Sequence, residues 1–375
     1  MTPPASGAWR EGDPPGRRRW FTADRPLALE SGGVLPGYRV AYETWGTLAP
    51  DRANAVLVLH ALTGDSHVAG PREPGHPTAG WWDGLVGPGR ALDPTRLFLV
   101  VPNVIGGCQG STGPASAAPD GRPWGSRFPA LTLRDQVAAE AALADHLGIG
   151  TWAMVVGGSM GGMRALEWAV THPDRVGALA LFATTARSSA EQIAWTHAQI
   201  EAIRGDPGWH GGDYHHLPPG RGPHRGLGIA RRIAHITYRT PSELDTRFGR
   251  SRQPGGHARY AVESYLDHHA VKLAHRFDAG TYVVLATAMN HHDVGRDRGG
   301  TAAALRRITA PTLVVGVDSD RLYPVRQQRD LASHLRDAAL HTITSAHGHD
   351  GFLLETDQAD AALRTLIPAR RAETV

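Results

Sequence analysis

The sequence predicts an α/β fold: a mostly parallel sheet that is interrupted by a mainly helical insertion and then completed. Three observations carry this. Short apolar or β-rich runs alternate with helical patterns up to residue 183, the rhythm of a parallel sheet. From about Ser188 to Arg298 helical patterns dominate, and strand signals then resume at Pro311–Val317 and Leu340–Thr344. The expected division is a disordered N-terminal arm over 1–20, a core built from 21–187 and 299–375, and a helical lid over 188–298.

Each element has its own justification. Residues 1–20 are rich in Pro, Gly and Arg and carry the cluster Arg17-Arg18-Arg19, which reads as disorder. The stretch lacks the apolar core of a signal peptide. Tyr38–Thr44 and Ala55–Leu59 are short and β-rich, and Leu97–Val101 is the continuous apolar run of a strand buried on both faces. Between the last two lies Gly64–Arg90, Gly/Pro-rich and long enough to suspect function. Leu131–Leu147 suits an amphipathic helix that stops at Gly148. Trp152–Val156 reads as a strand, Gly162–Thr171 as a helix stopped before Pro173, and Val176–Ala183 as another strand. The insertion shows helical patterns at Ala190–Ile203, Leu227–Thr237, Arg259–Phe277 and Tyr282–Met289, separated by Gly/His/Pro-rich loops such as Trp209–Arg225.

Composition narrows the function. The chain has 375 residues, a formal charge of +3 and a single cysteine, Cys108, so no intramolecular disulfide can form. Arginines are scattered rather than gathered into a stripe, which argues against a nucleic-acid binder. Lys272 is the only lysine. No run approaches the length of a membrane span. A soluble cytoplasmic protein is expected.

The chemistry concentrates at three places. Trp152–Val156 runs into Gly157-Gly158-Ser159-Met160-Gly161, and a helix follows. Small residues two before and two after the serine let the chain turn tightly and lift its hydroxyl above the sheet. The helix behind it turns its positive end to the site, and the Met160 amide becomes one oxyanion donor. An acid should come next in the chain and a histidine last. The strand at Pro311–Val317 ends in Asp318-Ser319-Asp320; Asp320 keeps the usual four-residue step to Pro324, with Asp318 as the alternative. The last strand leads to His347-Gly348-His349-Asp350-Gly351, where His349 is the expected general base. The early strand ends in His60-Ala61-Leu62-Thr63-Gly64, a turn placed to supply the second oxyanion amide from Leu62, with His60 bracing it. The pairs His215-His216, His268-His269 and His291-His292 lack the helical i, i+4 spacing of zinc motifs, so no metal is expected.

With these residues assembled, the chain resembles the homoserine O-acyltransferase family of the α/β-hydrolase superfamily from about Tyr38 to Leu366. Matching segments include Ala41-Tyr42-Glu43-Thr44-Trp45-Gly46, the Asn103–Pro114 loop, Gly157–Met163, Ala230-Arg231, Ser319–Pro324 and Gly348–Leu353. The resemblance implies an α/β-hydrolase fold and a ping-pong transfer through acyl-Ser159 to the hydroxyl of homoserine. It implies that Arg231 grips the amino acid carboxylate and Asp350 the α-ammonium. It also implies acyl-CoA as cosubstrate with no permanently bound cofactor, and a homodimer through the helical lid. Relatives that prefer succinyl-CoA tend to carry an arginine two residues after the triad aspartate. Leu322 stands there, favouring acetyl-CoA, while Arg321 keeps succinyl-CoA as the alternative. The Gln-Arg of many relatives is missing from Trp195–Ile200, and Gln136 replaces a commoner methionine. Competing readings are a serine acyltransferase, an esterase-type hydrolase and a non-enzymatic binding protein.

Overall fold

A computed structural model describes residues 2–253 and 259–366; the lid residues 254–258 and the core residues 367–375 lie outside the described residues. Eight strands form one sheet: β1 (Arg19–Thr22), β2 (Arg39–Trp45), β3 (Ala55–Leu59), β4 (Phe98–Pro102), β5 (Met154–Gly158), β6 (Leu179–Phe182), β7 (Thr312–Val317) and β8 (Ala338–Ile343). Their spatial order is β1-β2-β4-β3-β5-β6-β7-β8. β1 and β2 pair antiparallel, as do β2 and β4, and every later pair is parallel. β3, β5, β6 and β7 are buried along their whole length, which explains their unbroken apolar sequences.

Helices α1 (Leu133–His146) and α2 (Met160–Thr171) belong to the core. The insertion contributes α3 (Ala190–Arg204), α4 (His224–Tyr238), α5 (Pro241–Phe248), α6 (Ala261–Ala274) and α7 (Ala279–Asn290). The core then adds α8 (Thr301–Leu305), α9 (Val325–His334), α10 (Gly351–Leu354) and α11 (Thr356–Arg364). Caps account for several boundaries. Thr132 and Ser189 form capping boxes with Asp135 and Gln192 at the starts of α1 and α3, and Thr240 caps α5. α5 has no counterpart in the sequence reading, because it buries none of its residues and so shows no apolar stripe.

The expectation of a disordered arm over 1–20 is not met. Residues 2–20 lie against the body and end in β1. Ala5, Ser6 and Ala8 are buried, Gly7 N–H donates to the Phe277 carbonyl, and Trp9 N–H donates to that of Cys108. Ser6 Oγ donates to Asp278 Oδ1 at 2.7 Å. A side chain at Gly7 would sit 2.5 Å from the Arg276 amide nitrogen, so only glycine lets the arm lie this close. Composition registers none of this, because the arm is held by a few small residues rather than by a large apolar face.

Candidate active site

The turn between β5 and α2 sets Ser159 in the left-handed region, φ 55° and ψ −122°. Three glycines make the turn possible. A Cβ at Gly157 would lie 2.3 Å from the Gly161 carbonyl oxygen, one at Gly161 2.0 Å from that of Leu59, and one at Gly158 2.3 Å from the Phe352 ring. Ser159 N–H donates to the Phe182 carbonyl, and Thr184 Oγ1 donates to the Ser159 carbonyl at 2.9 Å. The strained residue is therefore held from both sides.

The sheet brings the other two residues to the serine. His349 Nε2 lies 2.9 Å from Ser159 Oγ, and its Nδ1 lies 2.6 Å from Asp320 Oδ2. All three are buried. The carboxylate fixes the proton on Nδ1, which leaves Nε2 free to accept from the serine. Asp320 Oδ1 in turn takes the amides of Leu322 and Tyr323 at 2.8 and 2.9 Å. The alternative, Asp318, accepts from Ser345 N–H instead. Burial alone pulls the His349 pKa down, but the charge and hydrogen bond of Asp320 outweigh it, and the net shift is upward.

Of the two expected oxyanion donors, Met160 follows the serine directly. Met160 is the first residue of α2, where an amide has no acceptor within the helix. Leu62 and Met160 belong to one buried apolar cluster with Tyr323. Behind the Leu62 turn, His60 Nδ1–H donates to the Ala61 carbonyl, and its Nε2 accepts from Val104 N–H. Burial and the Arg164 charge push its pKa down to about 3, so it is neutral and its tautomer is fixed. Arg164 bridges the His60 carbonyl and Glu140. His60 is thus placed as a brace, in line with its sequence context.

Arg231 and Asp350 line one cavity of about 310 Å³ together with Ala61, which adjoins Leu62. Arg231 Nη1 donates weakly to Thr63 Oγ1 at 3.4 Å, and its Nε has no partner among the described residues. Its guanidinium lies 5.9 Å from the centre of the Tyr238 ring. Asp350 is paired with Arg239, Nε to Oδ2 at 3.1 Å. Burial raises its pKa against the pull of Arg239, His349 and Arg231.

Two features were not legible beforehand. Tyr323 packs on the triad: its amide donates to Asp320 and its ring stacks on His349 at 4.9 Å. Burial raises the phenol pKa, so it stays neutral. The only sequence signal was its place directly before Pro324. The second feature is a buried group of Glu43, His67 and His76, whose ligand atoms lie within 4.8 Å of one another. The two imidazoles stack at 3.9 Å and 9°. In such a stack no one ion lies in both ring planes, as two nitrogen lone pairs require, and His76 Nε2 already accepts from Arg17 N–H. The group fits an ion pair better than a metal: Glu43 also accepts from Ser66 Oγ and His67 Nδ1.

A serine on a strand-to-helix turn, an acid after β7 and a histidine after β8 define an α/β-hydrolase-fold protein with a nucleophile, acid and base in register. The alpha/beta hydrolase fold family model matches residues 54–356. The chain is 65% identical to a homoserine O-acetyltransferase of Thermobifida fusca over 369 residues, which cover 97% of each chain. It belongs to the homoserine O-acetyltransferase family. Among solved structures it superposes on the homoserine O-acetyltransferase of Bacillus anthracis with a TM-score of 0.85 at 26% identity, covering 93% of this chain and 96% of that one. Esterase E22 matches with a TM-score of 0.84 at 26% identity, covering 93% and 99%.

Proposed function

We propose that the protein transfers an acetyl group from acetyl-CoA to the hydroxyl of L-homoserine, giving O-acetyl-L-homoserine and CoA, by a ping-pong route through acetyl-Ser159. The observation that carries this is the hydrogen-bonded line Ser159–His349–Asp320, with Asp350, which follows His349 directly, lining a cavity together with Arg231.

In the first half-reaction His349 Nε2 takes the Ser159 proton as Oγ attacks the thioester carbonyl. The amides of Leu62 and Met160 hold the oxyanion. The C–S bond breaks, and the proton passes from His349 to the departing CoA sulfur. In the second, His349 takes the proton of the homoserine hydroxyl, whose oxygen attacks the acetyl-enzyme. The ester bond to Ser159 breaks, and Oγ recovers a proton from His349. Arg231 binds the amino acid carboxylate and Asp350 its ammonium. Asp350 has to stay ionised for this, and the neighbouring guanidiniums of Arg239 and Arg231 favour that form. The donor is acetyl-CoA because Leu322 offers no cation to a succinyl carboxylate, and no resident cofactor is needed.

The same reading carries a place in methionine biosynthesis, a cytoplasmic location and a homodimer through the lid. Among the described residues no helix is long and apolar enough to cross a membrane. Support for the dimer comes from exposed apolar side chains on three lid helices: Ile193 and Trp195 on α3, Ile229 and Ile236 on α4, and Val271 on α6. Light scattering should give twice the chain mass, and Trp195→Glu with Val271→Glu should lower it.

The deciding assay follows free thiol release from acetyl-CoA or succinyl-CoA, with and without L-homoserine or L-serine, using Ser159→Ala as control. Homoserine-dependent release from acetyl-CoA, lost in the variant, supports the reading. Release without any acceptor favours the second reading, a hydrolase in which water replaces homoserine; the match to esterase E22 is what keeps it in view.

A further inference from the structure

The cavity beside the triad holds more positive charge than an amino acid acceptor needs. Four cationic side chains line it, Arg231, Arg239, Lys272 and Arg276, against one acid, Asp350. The two histidines in its wall are neutral. Burial and nearby cations push His269 down to about 4, and His235 lower still. The acceptor's carboxylate and ammonium account for Arg231 and Asp350, and Arg239 is already paired with Asp350. Lys272 and Arg276 remain.

Among the described residues neither of these two forms an ion pair. Arg276 Nη1 donates to the Thr63 carbonyl, an uncharged partner one residue beyond Leu62. Lys272 is exposed, one turn back along the lid from Arg276. Burial and the charges of Arg276 and Arg231 all lower the Lys272 pKa, so the cations face one another with little to offset them. Asp65 attracts Arg276, but it sits buried in the core and does not line the cavity. Like charges gathered at a cavity mouth are costly unless an anion arrives between them.

Size points the same way. A cavity of about 310 Å³ accommodates an amino acid or a short acyl arm but not a whole nucleotide thioester, so most of such a donor must project through the mouth. Arg276 also lines a second groove, of about 760 Å³, beneath the N-terminal arm. Arg10 and Arg72 lie in that groove with Asp13 and Glu73.

We propose that Lys272 and Arg276 seat the phosphate groups of the acyl donor, with the nucleotide end directed into the groove under the arm. This rests on the acyl-CoA reading given above and adds the place where the donor is held. The pantetheine arm then runs inward past Thr63 to Ser159, and Arg276 links donor binding to the loop that carries the Leu62 amide.

The test compares acetyl-CoA with S-acetylpantetheine, which has the same thioester and no phosphate. The quantity read is the ratio of kcat/KM for the two donors, with homoserine saturating. In Lys272→Ala that preference for acetyl-CoA should fall about tenfold, and Lys272→Arg should restore most of it. Added salt should erode the preference in the parent and do so less steeply in Lys272→Ala, where Arg276 alone remains. Equal loss on both donors, or a preference unchanged in Lys272→Ala and Lys272→Glu, overturns the site while leaving the transferase reading intact. A parent that is acylated by p-nitrophenyl acetate but by neither thioester overturns the donor reading, and the site with it.

Discussion

The proton path through His349 has a measurable signature. Asp320 lifts the imidazole pKa above its ordinary value of 6.5 even though burial opposes it. The base must be neutral to take the serine proton, so kcat/KM should climb with pH through a midpoint above 6.5. Asp320→Asn removes the largest favourable contribution and should move that midpoint down, read from a pH–rate profile with a small acetyl ester. Tyr323→Phe tests a different contact. It keeps the ring on His349 and removes only the buried hydroxyl, so kcat should fall about tenfold while KM for homoserine stays close to the parent value. Ser159, Asp320 and His349 were legible because a tight turn and a fixed chain order leave few residues that fit. Tyr323 was not legible, because its role depends on where a ring packs, and no spacing encodes that.

At the level of elements, the turn from β5 into α2 is the most constrained piece of the fold. Gly161→Ala would drive a methyl group into the Leu59 carbonyl of β3, so the change acts on the oxyanion strand and the nucleophile together. It should cost about 1–3 kcal/mol or more in urea unfolding and abolish acylation. Most buried strands were read to within two residues at each end, since unbroken apolar runs admit few other placements, while β6 begins at Leu179 rather than Val176. β8 is mostly exposed at the sheet edge, and its boundaries shifted by a residue or two. The lid helices that pack on one another left their periodicity in the sequence. α5 buries nothing and left none.

For the molecule as a whole, the lid is joined to the rest of the chain by more than the two chain crossings near 188 and 298. Asp278 is fully buried at the start of α7, where it accepts from Ser6, Tyr214 and the Thr281 amide and pairs with His215. Burial works against its charge, but His215 and these donors hold its pKa well below the usual carboxylate range. Ser6→Ala should lower stability by about 1–3 kcal/mol, because it removes a donor from a buried carboxylate. The loss should appear first as faster proteolysis within the first ten residues. A carboxylate with a depressed pKa stabilises the fold above its unfolded value and releases that stability as acid protonates it. The arm and lid should therefore separate on acidification only well below pH 4, seen as the same early cleavage.

The Ser6–Asp278 contact also bears on how the chain is made. Its partners stand 272 positions apart, so Ser6 leaves the ribosome long before its acceptor has been made. A greasy leader would spend that interval sticking to other surfaces. One built from proline, glycine and arginine stays in water and keeps the groove free. The composition that made the arm look unstructured suits a segment that docks last.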